Sequence, residues 1–306
     1  MLLTPILRRW LRLVLPLALV VPVRAEFTPP EVPAGWRYHH DVEIGKVGDV
    51  VLRLELVAPE DKPPEPLPVI VYIHGGGWNH GSKDAHGKRL AGMARRGYVG
   101  VAISYRFAPK HSYPAQMEDV LAAIRFLKAH AAQYHVDPSR INLWGSSAGG
   151  HLASLAGVTA NNPDVNYATH GLWEGEDVNV FAVVDFCGPN SNFLGAMANQ
   201  SGSLSKFLGA RSQSIPEKSR EAMPITHVDA EDPPFFVAHG DADRTVPVTW
   251  SRDFVQALKD AGARVEYHEL PGGGHNLSAT HPEAQDLAYA FLDRLNFPER
   301  VSLVPH

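Results

Sequence analysis

Near-continuous apolar runs, separated by stretches that alternate between apolar and polar faces, set the rhythm of this chain. Residues 69–74, 99–104, 141–145, 180–187, 235–239 and 265–270 read as strands, and most carry almost no polar residue. Helical stretches fall near 83–96, 115–131 and 147–158, and Pro282 to Leu295 makes a closing helix. Strands that are apolar on both sides, alternating with helices, predict an α/β fold whose mostly parallel sheet is covered on both faces. Val50 to Val57 alternates enough to form an outer strand, and the proline-rich stretch from Glu26 to about Arg37 reads as extended chain before the fold begins. Two segments break the rhythm. Asn161 to Asn179 is polar around Tyr167 and Trp173. Asn190 to Asp232 is longer than an ordinary connection and carries Phe193, Met197, Phe207 and Leu208 on a polar background.

The chain has 306 residues and is 44% hydrophobic, which fits one large α/β domain over residues 26–306. The first 25 residues stand apart. Arg8, Arg9 and Arg12 precede the apolar run from Leu13, and Val23-Arg-Ala25 offers small residues where a signal peptidase cuts. Residues 1–25 therefore read as a secretory signal peptide, too short in its apolar run to be a stable membrane anchor, and the protein is expected in the periplasm or outside the cell. Removing them takes away four arginines and no acid, leaving 24 basic against 33 acidic residues and a formal net charge of −9. That balance argues against nucleic acid or anionic lipid as partners. Cys187 is the single cysteine, so no intrachain disulfide forms, and its apolar setting predicts a buried thiol.

The chemistry sits at the ends of the predicted strands. Ile141-Asn-Leu-Trp144 runs into Gly145-Ser-Ser-Ala-Gly149, and a small-residue helix leaves it. This sharp strand-to-helix turn holds Ser147 in a strained backbone conformation with its hydroxyl exposed as a nucleophile. Ser146 reads as a small residue that the tight turn requires. Val69 to His74 is followed by Gly75-Gly-Gly-Trp78, where backbone N–H groups unshielded by any Cβ suit an oxyanion hole; Gly76, Gly77 and Ala148 are the expected donors, and Gly75 serves the turn. Trp78 either walls a substrate pocket or packs at the sheet edge. Asp241 and Asp243 share the loop after the 235–239 strand, and His275 follows three glycines after the 265–270 strand. The order serine, acid, histidine separates this arrangement from the other common serine-hydrolase orders. His275 is the expected general base, with His268 and His281 as alternatives.

Taken together, His74-Gly-Gly-Gly-Trp78, Ser104-Tyr-Arg-Phe-Ala-Pro109, Tyr113 to Asp119, Asp137-Pro-Ser-Arg140, Gly145 to His151, His239-Gly-Asp-Ala-Asp243 and Gly274-His275 resemble α/β-hydrolase esterases. The branch is that of bacterial feruloyl and acetyl-xylan esterases and hormone-sensitive-lipase-like carboxylesterases. The resemblance covers roughly residues 40–295. It implies the α/β-hydrolase fold and a serine carboxylesterase that needs no cofactor, working through an acyl-enzyme. It selects Asp243 as the acid, four residues after the strand-terminal histidine, and leaves Asp241 to turn amides. It also implies that residues 190–232, following the sixth strand, form a small helical cap over the site, and that Arg106 and Asp119 pair to brace a nearby loop. Export together with the resemblance points to acetyl or feruloyl esters of plant polysaccharide such as xylan, or similar small esters. The rivals are a prolyl-oligopeptidase-type peptidase and a lipase for longer acyl chains. His74, His80 and His86 lie close together, but their spacing suits no zinc site, and no metal is expected.

Overall fold

The structure is a computed structural model that describes residues 27–160, 162, 165, 167 and 170–301; the expected signal peptide lies outside them. Its first half runs β1 (Trp36–Val47), β2 (Val50–Pro59), β3 (Leu67–Ile73), α1 (Gly87–Arg95), β4 (Val99–Ile103), α2 (Ala115–Ala129) and α3 (Ala131–Tyr134). Next come β5 (Val136–Ser146), α4 (Ala148–Thr159), β6 (Ala182–Phe186), α5 (Ala196–Gln200), α6 (Gly202–Leu208) and α7 (Pro216–Glu221). The chain then passes through β7 (Phe235–Gly240), α8 (Val248–Ala261), β8 (Val265–Leu270), α9 (Leu277–Thr280), α10 (Glu283–Asn296) and α11 (Pro298–Val301).

All eight strands form one sheet in the order β1-β2-β4-β3-β5-β6-β7-β8. β3 through β8 pair in parallel, whereas β1 with β2 and β2 with β4 are antiparallel. The inner parallel strands β3, β4, β6 and β7 are buried nearly throughout because both of their faces are covered, whereas β8 at the edge is half-buried and mixes Glu and His among its apolar residues. Val69, Val71 and Ile73 pack toward α2, α4 and α8, while Ile70 and Tyr72 face α1 and α10. This is the α/β architecture the alternation predicts. Because β3 to β8 all point the same way, the loops leaving their carboxyl ends gather at one rim of the sheet, where ligands bind in open α/β sheets.

Three elements depart from the expectation. β1 starts at Trp36, where extended chain and no strand is expected. It is an edge strand paired on one side only, so most of its side chains stay partly exposed, and its charged residues conceal the strand pattern. Helix α8 fills the stretch between Pro247 and the last strand, to which the sequence pattern above assigns no element; Trp250, Phe254, Val255 and Leu258 bury its inner face. The stretch read as a strand over 180–187 forms ladder only over Ala182–Phe186, and Cys187 turns away at a φ of 54° although its thiol is buried.

Arg106 and Asp119 lie just beneath the rim. The guanidinium donates from Nε to both Asp119 oxygens at 2.8 and 3.0 Å, and from Nη2 to the Ala115 carbonyl and to Glu118. Asp119 also accepts the backbone N–H of Arg106 at 2.7 Å. The pair thereby ties the loop after β4 to the first turn of α2, with both side chains buried. Removing one partner from such a pair strands the other charge out of water. Asp119→Ala is expected to lower stability by about 3–5 kcal/mol in urea denaturation; a change under about 1 kcal/mol would contradict the brace.

Candidate active site

The turn between β5 and α4 sets the geometry. Ser147 has φ 56° and ψ −123°, a conformation that a residue with a Cβ keeps only when its surroundings enforce it. Here they do. A methyl group on Gly149 would fall 2.0 Å from the Ile73 carbonyl oxygen, so the first turn of α4 sits directly against the end of β3. The Ser147 N–H donates to the Phe186 carbonyl at 2.7 Å, pinning the turn to β6 as well.

Across from it, His275 Nε2 stands 2.9 Å from Ser147 Oγ, and His275 Nδ1 stands 2.7 Å from Asp243 Oδ2. An ionised carboxylate can only accept, so the imidazole proton sits on Nδ1, and Nε2 is left to accept the serine O–H. The other oxygen of Asp243 accepts the backbone N–H groups of Thr245 and Val246 at 2.7 and 3.0 Å. His239 Nε2 also faces Oδ2, at 3.1 Å. Burial alone would raise this carboxyl, but the donors on His239, His275, Val246 and Thr245 outweigh it and hold the group well below the usual carboxylate range. Asp241 instead accepts the Gly272 N–H at 2.6 Å, at the surface. His268 pairs with Glu266 on β8, and His281 follows α9; the side chain bonded to Ser147 Oγ is that of His275.

The loop after β3 supplies the facing wall. Gly76 has φ 114°, and a Cβ there would meet the His80 carbonyl oxygen at 2.0 Å, so only glycine fits. Its carbonyl accepts from Asn79 and His80, closing a tight turn. Among the described residues no protein acceptor takes the Gly76 or Gly77 N–H, and the Ala148 N–H, first in α4, has no partner one turn back. Gly76, Gly77 and Ala148 all line a cavity of about 550 Å³ that Ser147 and His275 also line. Trp78, read as either wall or packing, lines the cavity and is also packed. It is 4% exposed, stacks on Phe207 of α6 at 4.4 Å, and donates its indole N–H to His151 Nδ1 at 3.2 Å.

The segment 190–232 brings α5 and α6 to this rim. Phe193, Met197, Ser201, Ser203 and Leu204 line the cavity, Phe207 and Leu208 are buried behind it, and Met197 is 64% exposed at its mouth. The opposite wall comes from Val246, Pro247 and Trp250, where the loop after β7 enters α8.

Several residues at the site are given no role of their own by the sequence reading, although His151 and His239 stand within the resembling motifs. His239 is fully buried, its Nδ1 2.7 Å from Ser251 Oγ. His151 lies one helical turn after Ser147 and is fully buried, with Nε2 donating to the Ala222 carbonyl at 2.7 Å. Asp185 is buried beneath α4, accepting from Gly188 N and Asn190 Nδ2; burial pushes its carboxyl up to about 6. The four-residue spacing of His151 from Ser147 on a helix is the one signal that foreshadows its place.

Two groups carry the ligand types that a metal needs. Cys187, His239 and Asp243 come together, but burial pushes the thiol up and the Asp243 oxygens are taken by N–H donors. His40, Asp41, Glu55 and Asp84 form the other group, and the Lys83 ammonium already bridges its three carboxylates. Among the described residues no helix is long and apolar enough to cross a membrane.

The BD-FAE family model matches residues 54–258 of this chain. Esterase LipC of Mycobacterium tuberculosis is 35% identical over 284 residues, covering 89% of this chain and 70% of LipC. The chain spans about half the length of two further curated mycobacterial esterases that it matches. Among solved structures, a truncated carbohydrate esterase from gut microbiota superposes with a TM-score of 0.73 at 27% identity, covering 88% of this chain and 99% of that one. The butyrate-bound esterase Est2 from the Planctomycetes species Thermogutta terrifontis gives 0.71 at 28% identity, covering 86% and 95%.

Burial lowers the His151 imidazole to about 4, against the opposing pull of the Ala222 carbonyl. The native protein thus keeps this group neutral while the unfolded chain protonates it near 6.5, so its contribution to stability is intact above pH 6.5 and lost as pH falls toward 4. Between pH 7 and pH 4.5 the wild type is expected to lose about 2 kcal/mol more than His151→Gln, which has no such proton to take up. Urea midpoints at the two pH values measure this, and equal losses would refute it.

Proposed function

We infer the chemistry of this chain, which belongs to the BD-FAE family and is a carboxylic-ester hydrolase of the α/β-hydrolase fold, from the contacts joining Ser147, His275 and Asp243. Ser147 Oγ attacks the ester carbonyl as its proton passes to His275 Nε2. Asp243 holds the imidazole in the Nδ1–H tautomer and stabilises the imidazolium. The N–H groups of Gly76, Gly77 and Ala148 take the charge that develops on the carbonyl oxygen, each contributing on the order of 3 kcal/mol to the lowered barrier. His275 returns the proton to the departing alcohol, and water then releases the acyl group by the same steps in reverse. The observation that carries this reading is the unbroken chain of two hydrogen bonds, 2.9 and 2.7 Å long, from hydroxyl to imidazole to carboxylate.

The substrate is a small acyl or aryl ester borne on a sugar, such as an acetyl or feruloyl ester of xylan. The cavity supports this by its two-sided lining. Phe193, Leu204, Val246 and Trp250 offer apolar surface for an acyl chain or aromatic ring, while His80, Ser201, Ser203, Thr245 and Asn276 offer hydrogen-bonding groups suited to hydroxyls. The carbohydrate esterase and the butyrate-bound esterase among the structural neighbours are compatible with both halves. Export through the N-terminal signal agrees with a polymer substrate too large to enter the cell.

Ser147→Ala is expected to abolish p-nitrophenyl acetate hydrolysis, with Asp243→Asn reducing kcat about 10⁴-fold; wild-type turnover by Ser147→Ala would end the proposal. Wild-type protein is expected to release acetate or ferulate from decorated xylan and to prefer p-nitrophenyl acetate over the palmitate ester. A palmitate preference with no release from xylan would reassign the substrate to lipid.

A further inference from the structure

Trp78 directly follows Gly77 and has φ 59°, a conformation that a bulky side chain abandons unless several contacts hold it. Three do. Its carbonyl accepts from Ala108 N at 3.0 Å, its ring stacks on Phe207, and its indole N–H reaches His151. His151 is held in turn at its other nitrogen by Ala222, just past α7. Because a backbone carbonyl can only accept, Nε2 carries the proton and Nδ1 is free to accept from Trp78. The ring of His151 also stacks near Phe193 at 5.5 Å and meets Phe207 edge-on at 5.4 Å, so it has no room to turn.

We propose that the hydrogen-bond chain from Trp78 through His151 to Ala222 holds the Gly76 and Gly77 N–H groups in place, making His151 a positioning residue that locks the oxyanion loop to both the nucleophile helix and the 190–232 segment. This rests on the reading that Gly76 and Gly77 receive the oxyanion. The chain joins three parts of the site: the loop after β3, the first turn of α4, and the segment between β6 and β7. If the indole loses its acceptor, only the Ala108 N–H and the Phe207 ring oppose relaxation of the strained Trp78 backbone, and the donor one residue earlier moves with it. A displacement of about 1 Å in such a site is enough to cost on the order of 100-fold in rate.

Trp78→Phe tests this, because it keeps an aromatic ring against Phe207 while removing the N–H along with one fused ring, and the double variant with His151 below separates the lost bond from the lost volume. On p-nitrophenyl acetate, kcat is expected to fall about tenfold with KM within twofold of wild type. Inhibition by a short alkyl trifluoromethyl ketone, whose hemiketal oxyanion occupies the same N–H groups, is expected to weaken by the same factor. His151→Leu should behave alike, the double variant should lose no more than either single one, and His151→Gln, which can accept and donate as the imidazole does, should stay within threefold of wild type. Should His151→Leu fail to fold, Trp78→Phe and His151→Gln still decide the matter. Wild-type kcat and ketone affinity in Trp78→Phe would overturn the proposal, as would a rise in KM alone, which would reduce Trp78 to pocket lining. Ser147→Ala, assayed in parallel, separates the two levels: activity there would sink the serine mechanism itself, whereas an inactive Ser147→Ala beside a normal Trp78→Phe would sink only the brace.

Discussion

The close approach of two backbones at the end of β5 is the constraint on which the rest of the site depends. Gly145 and Gly149 allow it: a Cβ on Gly145 would overlap the Gly149 carbonyl, and one on Gly149 would overlap that of Ile73. With no side chain in that space, α4 starts against β3, and Ser147 has no choice but a positive φ. The strain is held by the packed helix above it, where every residue from Ala148 to Thr159 is buried. Local unfavourable geometry persists because a large buried surface depends on it.

Electrostatics then differentiate two aspartates that are neighbours in sequence. Asp241 and Asp243 share one loop, but Asp241 points to solvent and bonds a single turn amide, whereas the Asp243 side chain is wholly buried. Burial alone would raise the Asp243 carboxyl. Four N–H donors keep it ionised, two from backbone and two from imidazoles. That His239 and His275 converge on one carboxylate oxygen means the acid is fixed from behind as well as in front, with Ser251 in turn fixing His239. The loop needs no covalent tether to stay aligned.

Much of this was legible in the sequence because its signals are local. Apolar runs marked β3 to β8, and glycine spacing around Ser147 marked the sharp turn. The chain order of Ser147, Asp243 and His275 followed from their places after strands. What escaped was set by pairing across distance. β1 gains its identity from β2 rather than from its own mixed pattern. Helix α8 begins at a proline-flanked turn with an inner face of only a few apolar residues, among them Trp250 and Phe254. His151 and His239 stand in the motifs, but what each does emerges only once the fold brings Ala222 to one and Ser251 to the other, contacts that span 71 and 12 residues. The choice between Asp241 and Asp243 came from family resemblance, since both are equally plausible as loop acids in isolation.

The 2.7 Å contact between His151 and the main-chain carbonyl of Ala222 bears on how this scaffold diversifies. Segments inserted between strands of an α/β sheet are ordinarily interchangeable, since selectivity and chemistry reside on different stretches of chain. Here the two are stitched together through an atom that no side-chain substitution at residue 222 removes. Drift in the amino acids between Asn190 and Asp232 can reshape the cavity freely, yet wholesale exchange of that insert for one of another length forfeits the stitch. Recombination should therefore be a poorer route to new selectivities in this lineage than point mutation.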